Sequence, residues 1–388
     1  MSSPILTINA GSSSLKFALY DQGRQRLRGL VERIHEAPRL SLHEEAAGTE
    51  GFTVEGTGHA AVAHALLDWL EGHVGQASFA AVGHRVVHGG RTHDQARRVD
   101  AALLDELDEL VPLAPLHQPQ ALAIIRQIHE HWPDLPQVAC FDTAFHRTQP
   151  WLNQCYALPR QLTDEGIQRY GFHGLSYAHV ARQLPDLLGE RAQGRVLVAH
   201  LGHGCSMCAI RDGRSLATSM GFTALEGLMM GRRAGSLDPG VVLYLLQGKR
   251  WNAEQIERML YHDSGLYGVS GGISDDMRDL LDSPDAQAQE AVALFVRRAV
   301  REAGALIALL GGLDALVFTA GIGEKAAAVR RAICAELGWL GIALDDTANA
   351  HHARRLDTGR GPRVCVVTAD EEAEIHHSVS ECLAIAGD

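Results

Sequence analysis

The sequence predicts an α/β protein made of two copies of one α/β domain facing each other, and three observations carry that reading. Strand-like and helix-like apolar patterns alternate along the whole chain, with no low-complexity linker between them. The stretch ILTINAGSSSLKFALYDQGR at 5–24 is echoed near the middle of the chain by VLVAHLGHGCSMCAIRDGR at 196–214. Both run strand, Gly-containing polar loop, strand, and a turn ending Gly-Arg, as a duplicated unit would. The runs VACF at 138–141, ALVFTA at 315–320 and VCVV at 364–367 are uniformly apolar, as strands buried on both faces are.

Taken in order, residues 5–8 read as a strand, 9–14 as a small polar loop and 15–20 as a second strand closing at Asp21-Gln22-Gly23. Asp238-Pro239 supplies an N-cap and a Pro at the first helical position ahead of GVVLYLLQG. Ser283-Pro284 predicts the same start for a long helix that stops at Gly311-Gly312. Ligands of such sheets collect beyond the carboxyl ends of strands, which directs attention to Asp142, Gly321 and Glu371.

The chain has 388 residues, enough for two or three domains, and 46% of them are hydrophobic, so each domain can bury a core. With 35 Lys+Arg against 47 Asp+Glu, its net charge of -12 argues against nucleic acid or an anionic membrane as partner. A small basic pocket for a phosphorylated ligand is still compatible with that balance. No run approaches the ~20 apolar residues of a membrane span, and MSSPILTINAG lacks the features of a secretory signal. Seven cysteines without framework spacing predict reduced thiols and a cytoplasmic setting. Cys205-x-x-Cys208 falls in a strand-like run, where packing is the simpler role.

Three Gly-rich turns are candidate phosphate cradles: Asn9 to Ser14 with Lys16 beyond it, Gly202-His203-Gly204, and Gly321-Ile322-Gly323-Glu324. The first is not a P-loop, because the Gly-Lys-Ser/Thr ending is absent and it leads into a strand. Each alone is equally a hairpin turn; three at matching strand ends point together to a nucleotide. Arg85 precedes a Gly-Gly turn, where its forked donors suit a carboxylate or phosphate as well as a structural ion pair. Arg232-Arg233 lie just ahead of the capped helix at Asp238, a setting for an anion or for a solvated pair. Asp142 ends a strand, and His173 sits between glycines before a helix, so each is a candidate reacting group or a local cap. Glu371 and Glu372 open the last helix, where acidic residues also suit the helix dipole.

The joint order of these strings resembles the acetokinase family, the acetate and propionate kinases, over nearly the full length. The carriers are INAGSSSLKF at 8–17, GHRVVHGG at 83–90, FDTAFH at 141–146, RYGFHGLSY at 169–177 and AHLGHGCS at 199–206. SMGFTALEGLMMG at 219–231, SDDMRDL at 274–280, FTAGIGE at 318–324 and DEE at 370–372 complete the set. The resemblance implies two duplicated actin-like, sugar-kinase-like (ribonuclease H-like) domains flanking a cleft. Their bounds would be 1–147 with 373–388, and 148–372. It implies transfer of the ATP γ-phosphoryl group to acetate, giving acetyl phosphate and ADP, with a homodimer as the assembly. A propionate kinase of the same mechanism and a non-catalytic nucleotide-binding homologue are the alternatives.

Residue by residue, the resemblance implies Asn9 and Glu371 around Mg²⁺, or Mn²⁺ in its place. Lys16, His200, Leu201, Gly202, His203, Gly204, Asp276, Met277, Arg278, Gly321, Ile322, Gly323, Glu324 and Lys325 would form the nucleotide site. Arg85 would bind the substrate carboxylate, Asp142 would be the catalytic acidic residue, and His173 and Arg233 would stabilise the moving phosphoryl group. Val87, Leu116, Phe172 and Ala224 would line the pocket for the alkyl group. The chain departs from the family at His203 for Asn, at Gly231-Arg232-Arg233-Ala234-Gly235-Ser236 for GTRSGD, at Lys325 for Asn, at Gln118 for Asn and at Ala224 for Pro. His203 and Lys325 bear on the phosphate donor. Ala224 bears on the acid, leaving room for one more methylene at a cost of about 1–3 kcal/mol in discrimination.

Overall fold

A computed structural model describes residues 4–11, 14–44, 48–53, 56–74, 79–115 and 117–386. The chain divides into two compact units, Met1–Arg147 with Asp370–Asp388, and Thr148–Ala369. Glu371 and Glu372 therefore fold with the first unit, whose last segment starts three residues ahead of the bound at 373 that the resemblance implies.

The first unit is built on a mixed sheet of eight strands: β1 Ile5–Ala10, β2 Ser14–Asp21, β3 Arg24–Glu32, β4 Arg39–Glu44, β5 Gly48–Thr53, β6 Ala81–Val86, β7 Arg97–Arg98 and β8 Gln137–Phe141. Their order is β5-β4-β3-β2-β1-β6-β8-β7. The strands from β1 out to β5 pair antiparallel, while β1–β6 and β6–β8 are parallel. The second unit holds β9 Val196–Leu201, β10 Cys205–Arg211, β11 Arg214–Thr218, β12 Ala315–Thr319 and β13 Arg363–Val366, in the order β11-β10-β9-β12-β13. Here too a three-strand antiparallel meander continues into two parallel strands. The core order β3-β2-β1-β6-β8 thus recurs as β11-β10-β9-β12-β13, so the duplication seen in one hairpin extends to the whole five-strand frame.

Burial follows sequence. Every residue of β8, β9 and β12 is buried, as continuous apolar runs with cover on both faces require. Leu6, Ile8, Leu15 and Phe17 pack with Val62, Leu66 and Leu70 of the helix His59–Val74 and with Ile124 and Ile128 of the helix Gln118–His131. On the i, i+4 rows of a helix such residues share one face. The helix Glu371–Ala386 returns to lie against β1, β6 and β8. It sits close because Gly83 has no side chain: a Cβ there would lie 2.5 Å from the γ-methyls of both Ile375 and Val379.

Three local readings change. The long helix is Ala286–Leu310, and its N-cap is Asp285, whose carboxylate accepts from the Gln287 N–H, instead of Ser283. Ser283 instead ends the preceding helix Met277–Asp282 and takes the Asp285 N–H on its hydroxyl, so one short turn serves both helices. The run after β12 is not an open turn but a short helix, Ala320–Lys325, entered through Ala320 at φ +65°. Asn9 belongs to β1, and Ser12 and Ser13 of the first Gly-rich turn lie outside the described residues. The Asp238 cap is as expected, accepting from the Gly240 N–H, and the long helix stops at Gly311 with φ +73°.

Candidate active site

In the first unit, β1, β6 and β8 end side by side, and the last helix begins there. Arg85, at the end of β6, donates from Nε (2.8 Å) and Nη2 (2.5 Å) to Oδ2 of Asp142, the residue after β8. Its Nη1 donates to Oδ1 of Asn9 at 3.2 Å, and its Nε lies 3.8 Å from Oε2 of Glu371. The Asn9 amide in turn donates to Glu371 (2.9 Å) and Glu372 (3.1 Å), and Arg28 reaches Glu372 at 3.3 Å. Burial opposes the charge on Arg85, but Asp142 and Glu371 outweigh it and hold its proton more tightly than usual. Asp142 is fully buried. A guanidinium forked onto a buried carboxylate is oriented rather than merely paired.

The neighbouring residues of GHRVVHGG are structural. His84 is bonded to Gln137 at 2.8 Å, and burial pushes its pKa down to about 4. His88 accepts the Gly90 N–H on Nδ1, and its backbone is held on both sides by the Gln118 amide, while burial lowers its pKa to about 3. Gln118, the departure from the family's Asn, therefore fixes the segment just beyond Arg85. Val87 is buried beside it, and Leu116 lies outside the described residues. Lys16 stands exposed on β2 and is not among the residues lining the second unit's cavity.

In the second unit, His173 takes a left-handed conformation (φ +59°) and opens the helix Gly174–Leu188. Its ring stacks on His200 with centroids 4.2 Å apart, and Nδ1 lies 2.8 Å from the Ser206 hydroxyl. Ser206 is also 2.5 Å from the Tyr177 hydroxyl, and burial keeps that phenol protonated far above its ordinary range. His200 is held by Ser176 at 2.8 Å. A Cβ on Gly204 would lie 3.1 Å from His173 Nε2 and 3.2 Å from Arg233 Nη2, so the two donors converge on a glycine. Arg233 is steadied by the Ala224 carbonyl, which accepts from Nη1 at 2.8 Å. The loop carrying Ala224 is tied down by Glu226, which meets the Tyr156 hydroxyl at 2.5 Å and Arg169 at 2.8 Å.

Beside this cluster lies a cavity of about 370 Å³. Gly202, His203, Asp276, Met277, Arg278, Gly321, Ile322 and Lys325 line it, together with Asp275, Leu281 and Ala326. Asp276 caps the helix Met277–Asp282 and holds Arg278 at 2.5 Å. Among the other expected nucleotide residues, Leu201 and Gly323 are buried in the frame, His200 supports His173, and Glu324 accepts the Ala369 N–H. Gly204 faces His173 and Arg233. Arg232 is turned away from Arg233. It binds Asp275 at 2.6 Å and stacks on Tyr267 with its guanidinium 4.1 Å from the ring centre. His203 lies 3.6 Å from the same carboxylate, so two departures from the family pattern meet on Asp275.

The family model described as the acetokinase family matches residues 4–377. The chain belongs to the acetokinase family. An acetate kinase of Rhodopseudomonas palustris is 50% identical over 359 residues, 90% of each chain. One of Methylocella silvestris is 47% identical over 97% of this chain and 96% of its own. Among solved acetokinases, a propionate kinase from Francisella tularensis matches with a TM-score of 0.91 at 36% identity, covering 97% of this chain and 99% of that one. An acetate kinase from Porphyromonas gingivalis gives 0.89 at 32%, covering 98% and 100%.

Several residues of this acetokinase that shape the site carried no role in the sequence reading. Ser206 and Tyr177 orient His173, Glu372 shares Asn9 with Glu371, and Tyr156, Arg169 and Glu226 hold the loop behind Arg233. Most lie inside the recognised strings, yet only their contacts distinguish them from neighbours. Leu281 had a local signal, since it falls four residues after Met277 on one helix face. Cys205 and Cys208 are buried free thiols, and burial pushes both up to about 12, which leaves them inert packing residues.

Proposed function

We propose that the chain is an acetate kinase, which moves the γ-phosphoryl group of ATP to acetate and back. A carboxylate oxygen of acetate forms a bond to the γ-phosphorus while the bond from that phosphorus to the β–γ bridging oxygen breaks. The products are acetyl phosphate and ADP, and no proton is transferred. Because the acceptor is ionised at neutral pH, catalysis consists of positioning and of masking negative charge. The convergence of His173 Nε2 and Arg233 Nη2 on Gly204, beside a glycine-lined cavity, carries the reading.

In this scheme the cavity takes ATP, and Gly204 leaves room for an oxygen of the travelling phosphoryl group between His173 and Arg233. Tyr177 donating to Ser206 leaves the serine hydrogen for His173 Nδ1, which puts the ring proton on Nε2, facing the phosphoryl group. Arg85 receives the acetate carboxylate, and Asp142 is the positioning residue that holds Arg85, not a base. The Asn9, Glu371 and Glu372 cluster offers hard oxygen donors of the kind that suit Mg²⁺. Asn9 and Glu371 would hold it, and the ion would supply charge neutralisation at the phosphates. Val87, Phe172 and Ala224 would enclose the methyl group.

The test is a hydroxamate assay for acyl phosphate with Mg-ATP and acetate, propionate or butyrate. Acetate-dependent product is expected, with propionate well tolerated. No product with any acid or nucleotide triphosphate would overturn the proposal. Propionate as the better substrate is the second reading, favoured by Ala224 and by the likeness to a propionate kinase. A homodimer is part of the proposal: the helix Pro239–Gln247 buries none of its residues and exposes Val241, Leu243, Tyr244 and Leu246. Light scattering should give twice the chain mass, and a monomer for L243E/Y244E.

A further inference from the structure

Away from the residues discussed so far, the helices His59–Val74 and Gln118–His131 pack against each other and bring two histidines and an aspartate together. His64 and Asp68 are one turn apart on the first helix, with His64 Nε2 3.6 Å from Asp68 Oδ2. His131 comes from the last turn of the second helix. One ligand atom from each of the three lies within 4.8 Å of the other two. A metal at about 2.0–2.2 Å from each ligand needs donor atoms roughly 3–3.5 Å apart, so small side-chain rotations suffice.

A second observation sets this cluster apart from a chance surface grouping. His131 is already oriented as a metal-binding histidine is: its Nε2 lies 3.0 Å from Oε1 of Glu71. Glu71 is itself fixed, since the same oxygen accepts the Trp132 indole N–H at 2.8 Å. Given a proton on Nε2 directed at Glu71, the lone pair is on Nδ1. This carboxylate–histidine pairing is the outer shell that raises the basicity of a ligating imidazole. His64 and Asp68 are more than half exposed, which leaves an approach from solvent and room for water as a fourth ligand.

The geometry points to a binding site for one borderline divalent cation, of which Zn²⁺ is the type, held by His64, Asp68 and His131 with Glu71 behind His131. Two imidazoles and a carboxylate are a poor set for Mg²⁺, which prefers oxygen throughout, so this site is chemically separate from the acid cluster at Asn9. A bound ion clips the two helices together at the surface of the first unit. The site therefore gives the fold a response to such metals that the kinase chemistry does not need.

The test is equilibrium dialysis of the full chain against Zn²⁺ with millimolar Mg²⁺ present throughout. One Zn²⁺ per chain is expected. His64→Ala and Asp68→Asn should each weaken it at least tenfold, while His351→Ala, in a histidine pair elsewhere, leaves it unchanged. Glu71→Gln keeps an acceptor for Trp132 and should weaken binding by a smaller factor. Both His64 and Asp68 are exposed, so these variants fold, and circular dichroism confirms it. Zn²⁺ binding that is unaffected by H64A and D68N, or lowered equally by H351A, would overturn the proposal. So would wild-type chain that binds no Zn²⁺ under these conditions.

Discussion

The first hairpins of the two sheets share one ladder pattern and do different work. In the first, Asn9 faces Lys16 one pair back from the turn; in the second, His200 faces Ser206 at the matching pair. Asn9 is drawn into a closed lattice with Arg85, Glu371 and Glu372, in which charges of opposite sign satisfy one another. His200 and Ser206 instead buttress His173, whose Nε2 is left facing the space over a glycine. Duplication thus supplies a frame, and the residues one pair back from each turn decide what the frame does. In the first unit that pair ties into a network of charges, and in the second it supports a single imidazole.

That contrast breaks most sharply where each unit loses its cation. Arg233→Ala and Arg85→Ala should each lower kcat by roughly 10²–10⁴-fold, the range for charge-stabilising groups, measured by hydroxamate formation. They should differ in stability. Arg85→Ala removes the cation forked onto the buried Asp142 carboxylate and should also lower the urea midpoint, with Asp142→Asn in the same background recovering part of it. Arg233→Ala should leave the midpoint nearly unchanged. Equal stability losses in the two variants would erase the energetic distinction between the two clusters.

Gly204→Ala should cost about tenfold in kcat with an intact fold. The added methyl must displace His173 and Arg233 by a few tenths of an ångström. Wild-type turnover in that variant would show that nothing needs the space. At the matched ladder position of the second unit, Ser206→Ala should lower kcat several-fold by freeing the His173 tautomer.

A separate effect concerns acid. His84 titrates at about 4 when folded and at about 6.5 when unfolded. The unfolded chain therefore binds the extra proton, and stability falls as pH drops from about 6.5 towards 4. Urea unfolding should show a loss on the order of 2 kcal/mol from His84 between pH 7 and pH 5. His84→Gln should flatten that slope.

Much of the frame was legible because it is written in local patterns. The echo of 5–24 in 196–214, the apolar runs of β8, β12 and β13 and the Asp238 cap all found their places. The start of the long helix was not, because Ser283, Pro284 and Asp285 all suit a helix start and only the folded turn assigns the cap. Within the candidate site, the reactive types were readable but their partners were not. That Arg85 would be forked onto Asp142, or that His203 and Arg232 would both turn to Asp275, depends on side chains brought together from separate strands and loops. No periodicity records such a meeting.

The helix that begins at Glu371 has a consequence for biosynthesis. Asn9 meets Glu371 across a separation of 362 residues, and β6 keeps its side chain off Gly83 for that same helix. While the ribosome translates the second unit, the first waits roughly ten to forty seconds at 5–20 residues per second without the helix that covers β1, β6 and β8 and with its acid cluster incomplete. A chain interrupted between residues 234 and 370 carries His173 and Arg233 of the second unit but not the charge lattice of the first. Competence for catalysis is thereby tied to translation having passed that point, and partial products are left to chaperones and proteases rather than to the metabolite pool.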